Sequence, residues 1–220
     1  PDRSGTQPMM RPTRATCQSG RNGVGRDVYP VFMLAGVRRL AGRLVLACCR
    51  MRYVDEAPAT HRPLVIGAPH TSYVDAVLLC AVVWRTGYNV RAMVEKRFFV
   101  GPFARLFRAL GGIPIDRKNP IGVVESFTAM LDDSSLMLVI APEGTRSKRD
   151  AWKSGFYRIA RAADVPVTLG FIDMRTRTCG LGPTIELTGD VAADMDVIRA
   201  FYEGKTGWTP GLETPVRLTR

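Results

Sequence analysis

Histidine is nearly missing from this chain: 220 residues hold two, His61 and His70. Its five cysteines, Cys17, Cys48, Cys49, Cys80 and Cys179, form no CxxC pair and no metal-ligand spacing. Two histidines without a cysteine cluster are too few for a zinc centre, so no metal and no cofactor is expected. Cys48, Cys49 and Cys80 lie in apolar runs, where a free thiol behaves as a small hydrophobe, and a reducing compartment is the simplest setting. A long uninterrupted hydrophobic run is lacking too. The apolar stretch Tyr29–Tyr53 is broken by Arg38, Arg39, Arg43, Arg50 and Arg52, whereas a spanning helix needs about 20 residues without buried charge. There is no internal repeat, and no nucleic-acid motif or aromatic-rich basic stripe, so a nucleic-acid partner is not expected.

What is present is positive charge, unevenly placed. The net charge is +11, and residues 1–54 hold ten arginines against Asp2 and Asp27. Such asymmetry points to an anionic surface, and without a nucleic-acid motif that surface is acidic lipid. Residues 1–28, rich in Gly, Pro, Ser, Thr and Arg, read as a flexible basic arm. Residues 29–54 read as an amphipathic helix lying in a membrane interface, arginines toward phosphates and Leu, Val and Phe toward acyl chains; the alternative is a helix covering the soluble core. Residues 55–205 read as the one folded domain. Residues 206–220, punctuated by Thr, Gly and Pro, read as a loose tail.

From Leu64 onward strands and helices alternate. The expected strands are Leu64–Ala68, Val90–Val94, Gly112–Ile115, Leu136–Ile140, Val165–Phe171 and Thr184–Leu187. The expected helices are Tyr73–Arg85, Phe103–Leu110, Ile121–Asp132, Trp152–Ala163 and Ala192–Tyr202. This alternation predicts an α/β fold with a central, mostly parallel sheet flanked by helices, preceded by the N-terminal amphipathic segment.

Three stretches carry chemistry. In Ile66-Gly-Ala-Pro-His-Thr-Ser-Tyr-Val-Asp75 a buried strand turns into a helix, with His70 on the turn and Asp75 in the first helical turn. A neutral imidazole takes a proton from a hydroxyl at neutral pH if its other nitrogen is held, and Asp75 stands where it can hold it. Ser72-x-x-Asp75 fits equally well a capping box that only closes the helix. Gly111-Gly-Ile-Pro-Ile-Asp-Arg117 ends a short strand with an arginine whose rigid fork suits phosphate; alone it is also an ordinary surface arginine. Ala141-Pro-Glu-Gly-Thr-Arg-Ser147 is a strand-ending turn in which Glu143 and Arg146 can face one site and the turn amides can bind an anion.

Together, His70-x4-Asp75, GGIPIDR (Gly111 to Arg117), PEGTRS (Pro142 to Ser147) and Val165-Pro166-Val167 resemble the four ordered blocks of the glycerolipid acyltransferase family, which includes lysophosphatidic acid and glycerol-3-phosphate acyltransferases. Trp152-Lys-Ser-Gly-Phe156 resembles the family's Lys-x-Gly segment. Pro69 stands where better-known members have Asn, and the PHTSxxD form resembles a shorter bacterial branch. The resemblance implies an O-acyltransferase of phospholipid biosynthesis acting at the cytoplasmic face of a membrane, peripheral or monotopic. His70 would be the general base and Asp75 its polarising partner; Arg117, Glu143, Gly144, Thr145 and Arg146 would bind the acceptor. The expected partners are an anionic membrane surface, a lipid acceptor and an acyl thioester, either acyl-CoA or acyl carrier protein, as co-substrate. The alternative is a thioesterase or lipid hydrolase on the same fold.

Overall fold

The structure, a computed structural model, describes residues 31–56, 64–87, 89–115, 120–131 and 136–219. The expected basic arm, residues 1–28, lies outside them, as does Arg117.

Among the described residues one seven-stranded sheet organises the chain. Its strands are β1 (Arg52–Asp55), β2 (Leu64–Ala68), β3 (Asn89–Glu95), β4 (Gly112–Ile115), β5 (Leu136–Ile140), β6 (Val167–Asp173) and β7 (Thr178–Ile185). They lie in the order β1-β7-β6-β2-β5-β3-β4, and every neighbouring pair is parallel except the β6–β7 hairpin. The helices are α1 (Val31–Cys48), α2 (Tyr73–Thr86), α3 (Gly101–Ala109), α4 (Pro120–Leu131), α5 (Gly155–Ala163) and α6 (Val191–Tyr202). The expected α/β architecture is therefore the observed one.

Central parallel strands are covered on both faces and so read as unbroken apolar runs. The period of two decides which face each side chain serves. Leu64, Ile66 and Ala68 of β2, Leu138 and Ile140 of β5, and Val167, Leu169 and Phe171 of β6 pack against α4, α5 and α6 through Phe127, Phe156, Ile159, Ile198 and Tyr202. Val65, Met137 and Ile172 face the other way, onto Leu46 of α1 and Leu78, Ala81 and Val82 of α2. Fully burying one such side chain contributes about 1.5–3 kcal/mol, so these two cores hold the sheet in place. The Tyr202 hydroxyl donates to the carbonyls of Ile66 (3.3 Å) and Gly170 (2.8 Å), tying α6 to β2 and β6.

Helix α1 lies on α2 at close range. A Cβ on Gly42 would come 2.6 Å from the Ala81 carbonyl oxygen, so this crossing requires glycine. Leu46 is buried in the contact, while Val37, Leu40 and Leu44 stay exposed on the opposite side. The helix therefore covers the core with one face and still presents an apolar stripe with Arg39 and Arg43 beside it. None of the described helices is long and apolar enough to cross a membrane.

The structure corrects several expectations. Arg52, Tyr53 and Val54, assigned to the N-terminal helix, belong to the edge strand β1. The C-terminal stretch is not loose: Trp152 N–H donates to the Arg217 carbonyl (2.7 Å), Thr219 N–H to the Trp152 carbonyl (2.9 Å), and Met174 N–H to the Thr206 carbonyl (2.9 Å). Trp152 consequently pairs with Leu218 in an isolated β-bridge, and α5 begins only at Gly155 rather than at Trp152.

Candidate active site

Strands β2 and β5 are adjacent and parallel, with Ile66 opposite Ile140. Their following loops therefore leave the sheet side by side at its C-terminal edge, where α/β sheets bind ligands. After β2 comes a cis Ala68–Pro69 peptide, then His70, Thr71 and the helix cap Ser72. After β5 comes a turn closed by Gly144 N–H donating to the Ala141 carbonyl (3.1 Å), with Gly144 at φ 64°.

Asp75 is wholly buried. Its Oδ2 accepts hydrogen bonds from the Thr71 amide (2.7 Å), the Thr71 hydroxyl (2.7 Å) and the Ser72 amide (2.9 Å), while Ser72 Oγ accepts from the Asp75 amide (3.2 Å). The capping box is thus real. It does not exclude a role at His70, because the same carboxylate pins the two residues that follow the histidine. Its other oxygen, Oδ1, accepts from the Trp208 amide (2.8 Å), a group 133 positions further along the chain. Among the described residues no group makes a hydrogen bond to His70 Nδ1, which is buried. The expected hold of Asp75 on that nitrogen is therefore not a hydrogen bond: the carboxylate is spent on Thr71, Ser72 and Trp208, and only its charge reaches the imidazole. Burial lowers the His70 imidazole below its ordinary value; the Asp75 charge pulls it back up, and the Arg146 guanidinium pushes it down. A neutral imidazole at neutral pH follows, the form a general base needs.

Glu143 stands behind this loop. It is 2% exposed, and its Oε1 accepts the His70 amide at 2.7 Å. Burial pushes its carboxyl up to about 7, against the lowering pull of the His70 amide and of the Thr214 hydroxyl and amide. Arg146 faces outward from the same turn and stacks on the Tyr73 ring, 3.6 Å from its centre. A guanidinium held over an aromatic face by its central carbon still has N–H groups available for a ligand.

A cavity of about 460 Å³ opens beside these groups. His70, Glu95, Arg97, Thr145, Arg146 and Lys153 contribute polar groups to its wall; Leu79, Val83, Trp84, Met93, Phe107 and Val139 make much of the rest apolar. Such a site takes a ligand with a long apolar part and a small anionic or polar end. Among the described residues no cluster of His, Cys, Asp and Glu could hold a metal ion.

Of the residues expected from sequence, His70, Gly144, Thr145 and Arg146 meet at the cavity wall. Asp75 and Glu143 lie behind His70. Strand β4, which precedes Arg117, lines the same cavity through Gly112 and Ile115, and Arg117 itself is outside the described residues. Sequence reasoning missed Thr71, Trp208 and Thr214. Thr71 was visible inside the motif; Trp208 and Thr214 carried no local signal, because what they contribute includes backbone amides brought from a distant segment. Lys153 was noted only as part of a motif. Its stem lies against Gly144, where an added Cβ would meet Lys153 Cδ at 2.9 Å.

The family model described as Acyltransferase matches residues 50–168. The chain belongs to this family. The match covers both loops of the site and the strands that carry them. The 1-acyl-sn-glycerol-3-phosphate acyltransferase of Cocos nucifera is 31% identical over 105 residues, covering 44% of this chain and 33% of that protein. That of Limnanthes douglasii is 28% identical over 105 residues, covering 44% and 36%. The aligned part thus spans about a third of those relatives' length. Among solved structures, the 1-acyl-sn-glycerophosphate (LPA) acyltransferase PlsC from Thermotoga maritima superposes with a TM-score of 0.51 at 14% identity, over 81% of this chain and 83% of that one. The chain therefore shares the PlsC fold.

Proposed function

We propose that the chain moves a fatty acyl group from a thioester donor to a hydroxyl of a glycerophosphate-type lipid acceptor. The observation that carries this is that an imidazole and a guanidinium, those of His70 and Arg146, meet on the wall of one largely apolar cavity. The names of the relatives, 1-acyl-sn-glycerol-3-phosphate acyltransferases, point to the same acceptor class.

His70 takes the acceptor's hydroxyl proton while the oxygen attacks the thioester carbonyl. Asp75 stabilises the imidazolium by its charge. As the tetrahedral intermediate collapses, the C–S bond breaks and the thiolate leaves, taking the proton from the imidazolium when it needs one; thiols are acidic enough to leave readily. Arg146, with Arg117 from the GGIPIDR block, grips the acceptor phosphate, and the Gly144–Thr145 turn supplies further polar contacts. Glu143 supports the His70 loop, a different task from the acceptor contact expected of it. The acyl chain lies along the apolar wall. The exposed stripe Val37, Leu40 and Leu44 with its flanking arginines sets the protein on an anionic membrane surface, at the cytoplasmic face, where acyl-CoA or acyl carrier protein delivers the donor.

The test is to incubate the purified chain with radiolabelled acyl-CoA and, separately, acyl carrier protein thioester, against a panel of glycerol-3-phosphate, lysophosphatidic acid and other lysolipids. The expected product is an acylated phosphate-bearing lipid, lost in His70→Ala. Fast release of free fatty acid that ignores every acceptor would make the protein a thioesterase instead.

A further inference from the structure

The segment from Gly207 to Thr214 crosses directly over the residues that hold His70. Gly207 is buried, and a Cβ there would come 2.4 Å from Thr71 Oγ1, 2.8 Å from Thr71 Cγ2 and 3.0 Å from Asp75 Oδ2. Trp208 N–H donates to Asp75 Oδ1 (2.8 Å) and Thr209 N–H to Thr71 Oγ1 (3.0 Å). Buried Thr214 lies beside Glu143 and accepts from the Arg149 amide through its hydroxyl (3.2 Å). The turn between these contacts is folded by one carboxylate: Glu213 Oε1 accepts the Gly207 amide (3.1 Å) and Oε2 the Gly211 amide (2.7 Å). Both ends are anchored, Thr206 by Asp173 Oδ1 and Arg217 by the backbone of Trp152.

A buried carboxylate without hydrogen bonds is costly, and amides aimed at it favour its charged form. Asp75 receives two amides and a hydroxyl from its own loop at Oδ2, and Oδ1 is satisfied by the Trp208 amide. The Trp208 indole takes no part in this: the residue is 41% exposed, so only its backbone is needed.

We propose that residues 207–214 form a positioning clasp for the base, holding Asp75, Thr71 and Glu143 so that the His70 loop stands in its reactive place. The clasp touches no substrate; it acts through those three residues. It rests on the reading of His70 as the base.

The experiment compares four variants of the full chain in the acyl-transfer assay with a lysophosphatidic acid acceptor, with kcat, both KM values, the pH profile and the melting temperature recorded. In Gly207→Ala the new methyl pushes Thr71 and Asp75 away. Misplacing a reactive group by about 1 Å lowers turnover about a hundredfold, so kcat falls about ten- to a hundredfold while both KM values stay within about twofold. The acid limb moves to lower pH, because the Asp75 charge that raises the His70 pKa is withdrawn. Glu213→Ala, which unfolds the turn from outside, gives the same pattern more weakly, and Glu213→Gln recovers part of it by keeping one acceptor. Should Gly207→Ala not fold, the two Glu213 variants decide. His70→Ala is the reference. If it retains turnover, the base reading fails and the clasp with it. If it is inactive while the folded clasp variants keep wild-type kcat and an unmoved acid limb, the clasp alone is overturned. A rise in KM with kcat unchanged overturns it as well, since the segment would then be binding substrate.

Discussion

Glu143 offers a sharp test of how the loop behind His70 is held. Its carboxyl is buried, and in the folded protein it titrates at about 7 instead of 4.5. The folded state therefore binds this proton more tightly than the unfolded chain. Its contribution to stability is fully present below the unfolded value and is lost as pH rises through the folded one. At about 1.36 kcal/mol per unit, raising the pH from about 5 to about 8 removes about 2 to 3 kcal/mol. Glu143→Gln keeps the shape and the oxygen that accepts the His70 amide, but it cannot ionise. Urea unfolding of wild type and variant at the two pH values isolates the term, because His70 titrates in both proteins. The expectation is that Glu143→Gln gains about 2 to 3 kcal/mol on wild type between the acid and the alkaline measurement. A stability difference that does not change with pH would mean that Glu143 is ionised and paired throughout, and the account of a carboxyl neutralised by burial would be wrong.

Other outcomes follow from the same geometry. In wild type kcat/KM should rise with pH through a value below about 6.5, and in Arg146→Gln that limb should move upward, because a positive charge has left the imidazole's neighbourhood; a downward move would contradict the charge ordering. Arg146→Lys keeps the charge but loses the fork and the guanidinium contact over Tyr73, so acceptor KM should rise about ten- to a hundredfold with donor KM little changed in steady-state kinetics. Replacing Leu40 and Leu44 by Ser should weaken sedimentation with anionic vesicles and leave the melting temperature near wild type, since both side chains are more than half exposed. Binding to those vesicles should also fall with added salt.

Much of the sheet was legible because its central strands are short apolar runs bounded by turn residues. Gly112–Ile115 and Leu136–Ile140 have the bounds expected of them, and α2 differs by one residue at its end. The misses have a shared cause in tertiary packing. Strand β7 begins at Thr178, six residues before its expected start, and runs through Gly180 and Gly182. In the fold they are glycines because the Val54 carbonyl and the Phe201 ring approach too closely for a side chain. Strand β1 was hidden in the arginine-laced segment next to α1. At the site, the side chains that meet at the cavity wall were legible, since motif spacing on adjacent strand ends survives in one dimension. The support was not. Glu143 reads as a ligand contact until its burial is seen, and the amides of Trp208 and Thr209 have no residue-specific signature at all.

The hydrogen bond between Trp208 and Asp75 also carries a schedule. Its two partners are separated by 133 positions, and a ribosome adds about 5–20 residues per second. The His70 loop is therefore made well before the amide that completes Asp75's hydrogen bonding, a gap of about 7 to 27 s at those rates. During that interval the strands from β2 to β7 can already pair, yet Asp75 Oδ1 still lacks its partner. The fold and the competence of its site are thus acquired at different moments of synthesis, and a nascent chain stopped short of residue 208 holds the motif residues without the finished environment around Asp75.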